Sequence, residues 1–300
     1  MASLREIKDR IGSVRSTLKI TSAMKLVASA KLRKAQKAIE GMRPYEKTLA
    51  EILAVVEPSL LGVTGADMTG PTVIVAIASN SSLCGGFNAN VIRKALETIR
   101  ECEGAVEVYP LGRKMVEALR RAGYTAPADY NDLVGHPSYE KSATLARSLA
   151  ERFERGELSR VILVYNRFAS ASRQEPVAEP YLPFATSSFA GSTSSFAGSQ
   201  GVIPGLTRNL QAPSSSSGSD YILEPDAAAL AAQLLPQVMM LKFHAAILDS
   251  AAAEQAARTI AMQTASDNAE DLLGELTLEY NKGRQQKITA EILDLLGGAQ

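Results

Sequence analysis

The sequence predicts an α/β protein in which a long antiparallel two-helix coiled coil, formed by the N- and C-terminal helices, joins a central domain with a mostly parallel sheet. Three observations predict it. Apolar residues recur at steps of three and four near the start of the chain, the same spacing returns near its end, and apolar β-branched runs alternate with helical stretches in between.

The first helix occupies a segment placed at residues 1–58. Leu4, Ile7, Ile11, Val14, Leu18 and Thr21 form a heptad seam. After a break at Lys25 it continues through Ala28, Leu32, Ala35, Ile39 and Met42. So narrow a stripe leaves most of the circumference polar, which suits pairing with one partner helix better than burial in a core. Pro44 is expected to disturb the helix locally. The pattern then resumes at Leu49, Leu53 and Val56 and stops near Pro58. Residues 3–57 as helix would span about 80 Å.

The closing segment, residues 224–300, mirrors the first. Glu224, Pro225 and Asp226 make a reasonable helix start. Leu241, Ala245, Leu248 and Ala252 keep heptad spacing, as do Leu273, Leu276 and Tyr280, while the stretch between is less regular. Residues 226–296 as helix would span about 105 Å. One helix enters the central domain by its C-terminus and the other leaves it by its N-terminus, so a pair of them must run antiparallel. The second is longer by about 16 residues, or about 24 Å of rise, and its tip should project alone. That tip carries Ile288, Ile292, Leu293, Leu295 and Leu296. An isolated apolar tip is a liability in water and calls for an enclosing partner.

The middle, residues 70–223, reads as strand and helix in turn. Thr72–Ala78 is an apolar β-branched run of the kind buried in parallel sheets. Asn90–Arg100 reads as helix, Val106–Tyr109 as strand, Arg113–Ala122 and Lys141–Arg155 as helices, and Arg160–Tyr165 as a further strand. Such alternation makes the domain Rossmann-like. Residues 184–219 differ. TSSFAGS occurs at Thr186–Ser192 and again, unchanged, at Thr193–Ser199, followed by the run Ser214–Ser217. This composition buries too little to order itself and reads as a flexible surface insertion. Tyr221–Leu223 is expected to return to the sheet.

Composition narrows the function classes. No apolar run approaches the roughly 18 residues of a membrane span. The first residues lack the apolar stretch of a signal peptide and carry Glu6 and Asp9. Cys84 and Cys102 have no ligand-like spacing and read as reduced thiols, Cys84 as a buried one. With only His136 and His244, metal-ligand and Ser-His-Asp patterns have little to draw on. His136 reads as a loop residue and His244 as a partly exposed coil residue. The loop Leu83–Asn88 lies where a phosphate loop would, but it lacks both GxGxxG and GxxxxGK[ST], so it reads first as a structural turn, with nucleotide binding as the alternative. Net charge is zero, yet residues 5–47 hold twelve Lys/Arg against four Asp/Glu, and residues 226–300 hold five against ten. Opposite signs favour pairing of the two ends. The basic face admits a solvated coil or an acidic protein partner. Without interleaved aromatics or a known DNA-binding pattern, nucleic acid comes last.

Several of these stretches carry a resemblance. Ile20–Gln36 (ITSAMKLVASAKLRKAQ) resembles the N-terminal helix of the γ subunits of F-type ATP synthases, and Ser82–Asn88 (SLCGGFN) resembles the loop after their first strand. Glu254–Arg258, Ala261–Met262 and Ala265–Ala269 are similar to their C-terminal helix, and Tyr280–Asp294 with Gly298 and Ala299 to their closing signature. The likeness covers nearly the whole chain except 184–219. It implies a non-catalytic rotary central stalk of a proton-translocating ATP synthase, passing rotation of the membrane c-ring to the catalytic β subunits, with no catalytic residue, cofactor or metal of its own. The implied partners are the α and β subunits, the ε subunit and the c-ring. The implied location is the cytoplasmic side of a bacterial cell membrane, reached only through the c-ring. By matching motif, Lys19, Met24 and Lys25 would face acidic lever loops of β, with coil packing the other reading for Met24. Arg258, Gln285, Thr289 and Glu291 would make polar contacts with the α/β ring, though Arg258 and Gln285 equally suit solvated helix positions. Ile288, Ile292, Leu295 and Leu296 would form a tip bearing. Two departures stand out. Gly283 sits where a better helix former is usual, a cost of up to about 1 kcal/mol. The paired-cysteine insert of chloroplast γ subunits is missing. A stand-alone nucleotide-binding enzyme and a non-rotary coiled-coil adaptor are the alternative readings.

Overall fold

Two helices dominate the computed structural model, which describes residues 3–56, 70–183 and 227–297. Helix α1 runs Leu4–Val56, and the last helix, α6, runs Ala227–Gly297. Between them lie β1 (Thr72–Ile77), α2 (Phe87–Glu101), β2 (Val106–Leu111), α3 (Arg113–Arg121), α4 (Asn131–Gly135), α5 (Tyr139–Glu154), β3 (Arg160–Phe168) and β4 (Gln174–Leu182). The repeat-bearing stretch 184–219 and the expected return strand Tyr221–Leu223 lie outside the described residues.

The helices pair antiparallel, and the seam expected from spacing is the one that faces inward. Leu4 lies against Gly283, where an added Cβ would stand 3.0 Å from the leucine Cδ2. The Thr21 and Ser266 hydroxyls meet at 2.9 Å in the buried interface. Lys25 Nζ donates to Gln263 Oε1. Leu32, Ala35 and Ile39 pack on Ala252, Ala253 and Ala256. Leu49 and Met42 pack with Val238 and Leu241. Each step along one helix is thus answered by an equal step back along the other. The longer helix overshoots, so α6 beyond Gly283 has no α1 beside it.

Pro44 does not interrupt α1. The Thr48 hydroxyl donates to the Pro44 carbonyl at 3.0 Å, and the seam residues Met42 and Leu49 on either side hold the helix on α6 through the lost hydrogen bond. The irregular centre of α6 also has a physical cause. Met239, Phe243, Ala246 and Ile247 belong to the core beneath the sheet, while Val238, Leu241, Ala252, Ala253 and Ala256 face α1. A helix buried on two sides shows no single apolar stripe.

The sheet order is β2-β1-β3-β4, with β2, β1 and β3 parallel and β4 antiparallel at the edge. Strand β1 is buried on both faces. Val73, Val75 and Ile77 point to the core shared with α5 and α6, and Ile74 and Ala76 to the core under α2 and α3. Sequence periodicity alone did not place β4, because QEPVAEPYL carries two prolines and two acids. Those residues suit an edge strand, where one row of backbone groups has no ladder partner. The five-residue helix α4 was likewise too short for a periodic signal.

Candidate partner interface

The loop after β1 turns its polarity inward. Asn88 Oδ1 accepts from Ser79 N at 3.1 Å and from Ser79 Oγ at 3.0 Å, while Asn88 Nδ2 donates to the Ser81 carbonyl and to Cys84 Sγ. Leu83 and Gly85 adopt positive φ, which makes the sharp reversal into α2. Cys84 is buried and unoxidised. The stretch Leu83–Asn88 is therefore a braced turn. Among the described residues there is no group of three or more His, Cys, Asp or Glu that could hold a metal ion, and no helix long and apolar enough to cross a membrane.

The two histidines differ from each other. His136 is exposed just beyond α4. His244 corrects its sequence reading, because it is buried rather than partly exposed. The cause is the second buried side of α6, where His244 Nδ1 lies 2.9 Å from Ser142 Oγ and its ring meets Tyr139 edge-on. Burial lowers its pKa.

The shaft residues singled out by motif fall into three settings. Lys19 is exposed on α1, and Met24 and Lys25 are half-buried beside α6. Lys25 heads a polar ladder in which Gln263 Nε2 donates on to Asp267 Oδ1 at 2.6 Å. Gln285, Thr289 and Glu291 are exposed on α6 beyond the end of the pairing. Thr289 Oγ1 donates to the Gln285 carbonyl at 2.9 Å, and Glu291 faces Lys287 at 3.8 Å. Gln263 and Gln285 are separated by about 33 Å of helix rise, so the two groups serve different heights of the rod. Ile288 and Ile292 are about half exposed (48% and 51%) on the unpaired tip. Leu295 and Leu296 continue the same helix, with only their backbone described.

Arg258 stands apart from both groups. Its guanidinium pairs with Glu254 at 2.8 Å and donates to Ser81 Oγ at 2.9 Å and to the Ser82 carbonyl at 3.4 Å. It ties α6 to the loop after β1. Burial pushes the Glu254 carboxyl up, against the pull of Arg258 and Lys31. Periodicity also passed over a set of exposed apolar side chains off the seam. Ile20, Leu26 and Val27 on α1 and Leu278 on α6 are 57–73% exposed. Their signal in the sequence was position, since apolar residues outside the a and d places of a coil have no partner within it.

A solvent-facing two-helix rod, rooted in an α/β base and overshooting into an unpaired apolar tip, defines a central-stalk type of protein. The family described as ATP synthase matches residues 3–300. The ATP synthase gamma chain of Bacteroides fragilis is 45% identical over 307 residues, covering 100% of this chain and 99% of that one. That of Phocaeicola vulgatus is 43% identical over 312 residues, and that of Dehalococcoides mccartyi 37% over 308, each across 100% of this chain and 99% of the relative. Among solved structures, the rotor of the Euglena gracilis mitochondrial ATP synthase matches with a TM-score of 0.60 at 19% identity, over 95% of this chain and 98% of that chain. The central stalk of the Tetrahymena thermophila mitochondrial ATP synthase matches with a TM-score of 0.56 at 22% identity, over 82% and 99%. At those identities the likeness is one of fold. The chain belongs to the ATP synthase family as one of its gamma chains, a non-catalytic central-stalk subunit.

Proposed function

We propose that this chain turns with the c-ring of a proton-translocating ATP synthase and imposes its asymmetry on a surrounding ring of α and β subunits. The observation that carries the reading is the overshoot of α6 beyond Leu4, which leaves Ile288 and Ile292 exposed on a helix with no partner among the described residues. An enclosing sleeve removes that apolar surface from water, and apolar contacts suit a bearing because they have no direction and favour no single angle. Lower down, Lys19, Met24 and Lys25 present charge and apolar surface to acidic lever loops of β. Gln285, Thr289 and Glu291 meet the ring nearer the tip. Arg258 serves from inside, holding the shaft to its base. One orientation of the rod fits one β conformation better than the others, so rotation shifts their populations in turn. The base rests on the ε subunit and the c-ring, on the cytoplasmic side of the bacterial cell membrane.

A disulfide between Lys25→Cys and a cysteine placed in the β lever loop tests the reading. In the assembled complex it should stop ATP turnover, and reduction should restore it. Full turnover while cross-linked would point to a non-rotary adaptor instead. Charge reversal at Lys19 and Lys25 together should leave the complex assembled and lower ATP-driven ion pumping. Unchanged pumping would remove these lysines from the coupling surface.

A further inference from the structure

We infer that the cleft between the coil and the β1 end of the domain is a binding site for a phosphate-bearing small molecule. The cleft measures about 560 Å³ and is framed by Lys31 and Lys34 of α1, Glu254 and Arg258 of α6, and Asn80 and Ser81 after β1. It lies beside the turn Leu83–Asn88, whose Asn88 is satisfied by Ser79, Ser81 and Cys84. It also makes no use of the rod's rotation, so it stands or falls apart from the shaft reading.

Position, charge and an unmet donor point the same way. In the order β2-β1-β3 the chain leaves β1 to one side and later returns on the other, so the carboxyl end of β1 is the switch point of the sheet. In open α/β sheets the crevice outside that point is where ligands bind. Among the described residues that line the cleft, three cations (Lys31, Lys34 and Arg258) face one carboxylate (Glu254), an excess of two positive charges. A phosphate group, with about one and a half to two negative charges near neutral pH, matches that excess. A lone carboxylate does not. Arg258 Nε is buried and has no acceptor among the described residues, while Nη2 meets Glu254, Ser81 and Ser82. The Ser81 hydroxyl already accepts from Arg258, so it is free to turn its proton toward an anion. Leu248 and Val134 supply an apolar wall. The volume exceeds that of phosphate alone and accommodates a nucleoside phosphate, within the usual range of small-molecule sites.

Glu254 sets the affinity. Its carboxylate occupies the arginine that an incoming anion would use, and its own charged form is already disfavoured by burial. Removing that charge should therefore strengthen anion binding, whereas removing Lys34 should weaken it.

Calorimetric titration of the full-length chain with inorganic phosphate, and separately with ADP, tests the inference. Binding at millimolar concentration or better is expected. Equal affinities would assign the site to free phosphate, and a tighter ADP would assign it to a nucleotide. Lys34→Ala, at an exposed position, should weaken either ligand about tenfold, and Glu254→Gln should tighten it several-fold. No heat with either ligand, or binding unchanged by Lys34→Ala together with Lys31→Ala, would overturn the site. So would protection of Lys34 from acetylation that appears on assembly with α and β but never with phosphate, which would give the cleft to an acidic protein segment.

Discussion

Ser142 and His244 illustrate how much one buried contact asks of its residues. The serine is fully buried on α5 and the histidine is buried on α6, and their 2.9 Å hydrogen bond joins the base to the rod. Ser142→Ala should lower stability by about 1–3 kcal/mol, since it leaves an imidazole nitrogen buried without a partner. Thermal unfolding of the full chain reads this directly, and no change would show that water replaces the hydroxyl. The pH dependence follows from the lowered pKa of His244. The unfolded chain takes up this proton near pH 6.5 and the native chain only at lower pH, so the contribution is whole above about 6.5 and declines as pH falls below it. His244→Asn should flatten that part of the stability profile; an unaltered slope would place the titration elsewhere. This contact was not legible in the sequence. His244 carries the spacing of an ordinary coil residue, and only the second packed side of α6 decides its burial. The Arg258 brace was hidden for the same reason, because a motif names a residue without saying whether it points out to a partner or back to Ser81.

At the scale of elements, the coil seam was the most readable feature. Its residues obey a period set by helix geometry alone, and the α1 side chains expected to face inward do so wherever they are described, from Leu4 and Ile7 to Leu49. The exception within the seam is polar. Thr21 and Ser266 are 8% and 5% exposed and bond each other across the interface. A buried polar layer in an apolar seam favours one register over its neighbours, because any slip buries both hydroxyls against carbon. Thr21→Val should cost about 1–3 kcal/mol by stranding Ser266, and adding Ser266→Ala should return much of that loss. A double-mutant cycle on unfolding measures it, and strict additivity would show that the pair does not interact. Gly283 gains a reason that its helix propensity denies it, for Leu4 lies over the position a side chain would take. Strand β4 shows the opposite limit. Edge strands tolerate proline and charge, so their sequences lose the pattern by which strands are recognised.

The whole molecule is graded along α6. Near Phe243 the helix is part of the domain core as well as packed on α1, from about Ala252 to Gly283 it is one of a pair, and beyond that it is single among the described residues. Ile288→Asp with Ile292→Asp should leave the isolated chain folded, since both side chains are already exposed, and should weaken its assembly with α and β subunits. Pull-down yields compare the two, and undiminished assembly would mean that the tip is not enclosed. The lengths of both helices, and hence the overshoot, were legible from residue counts. The partners of its exposed surface were not, because a chain read alone shows only which apolar residues lack a place. The grading has a mechanical consequence. A twist applied at the base meets a stiff root, then a double filament, then a single one, and strain collects where the cross-section is least. The last fourteen or so residues of α6 are therefore the most compliant part of the shaft, a soft end that absorbs angular error while the thick root sets the timing.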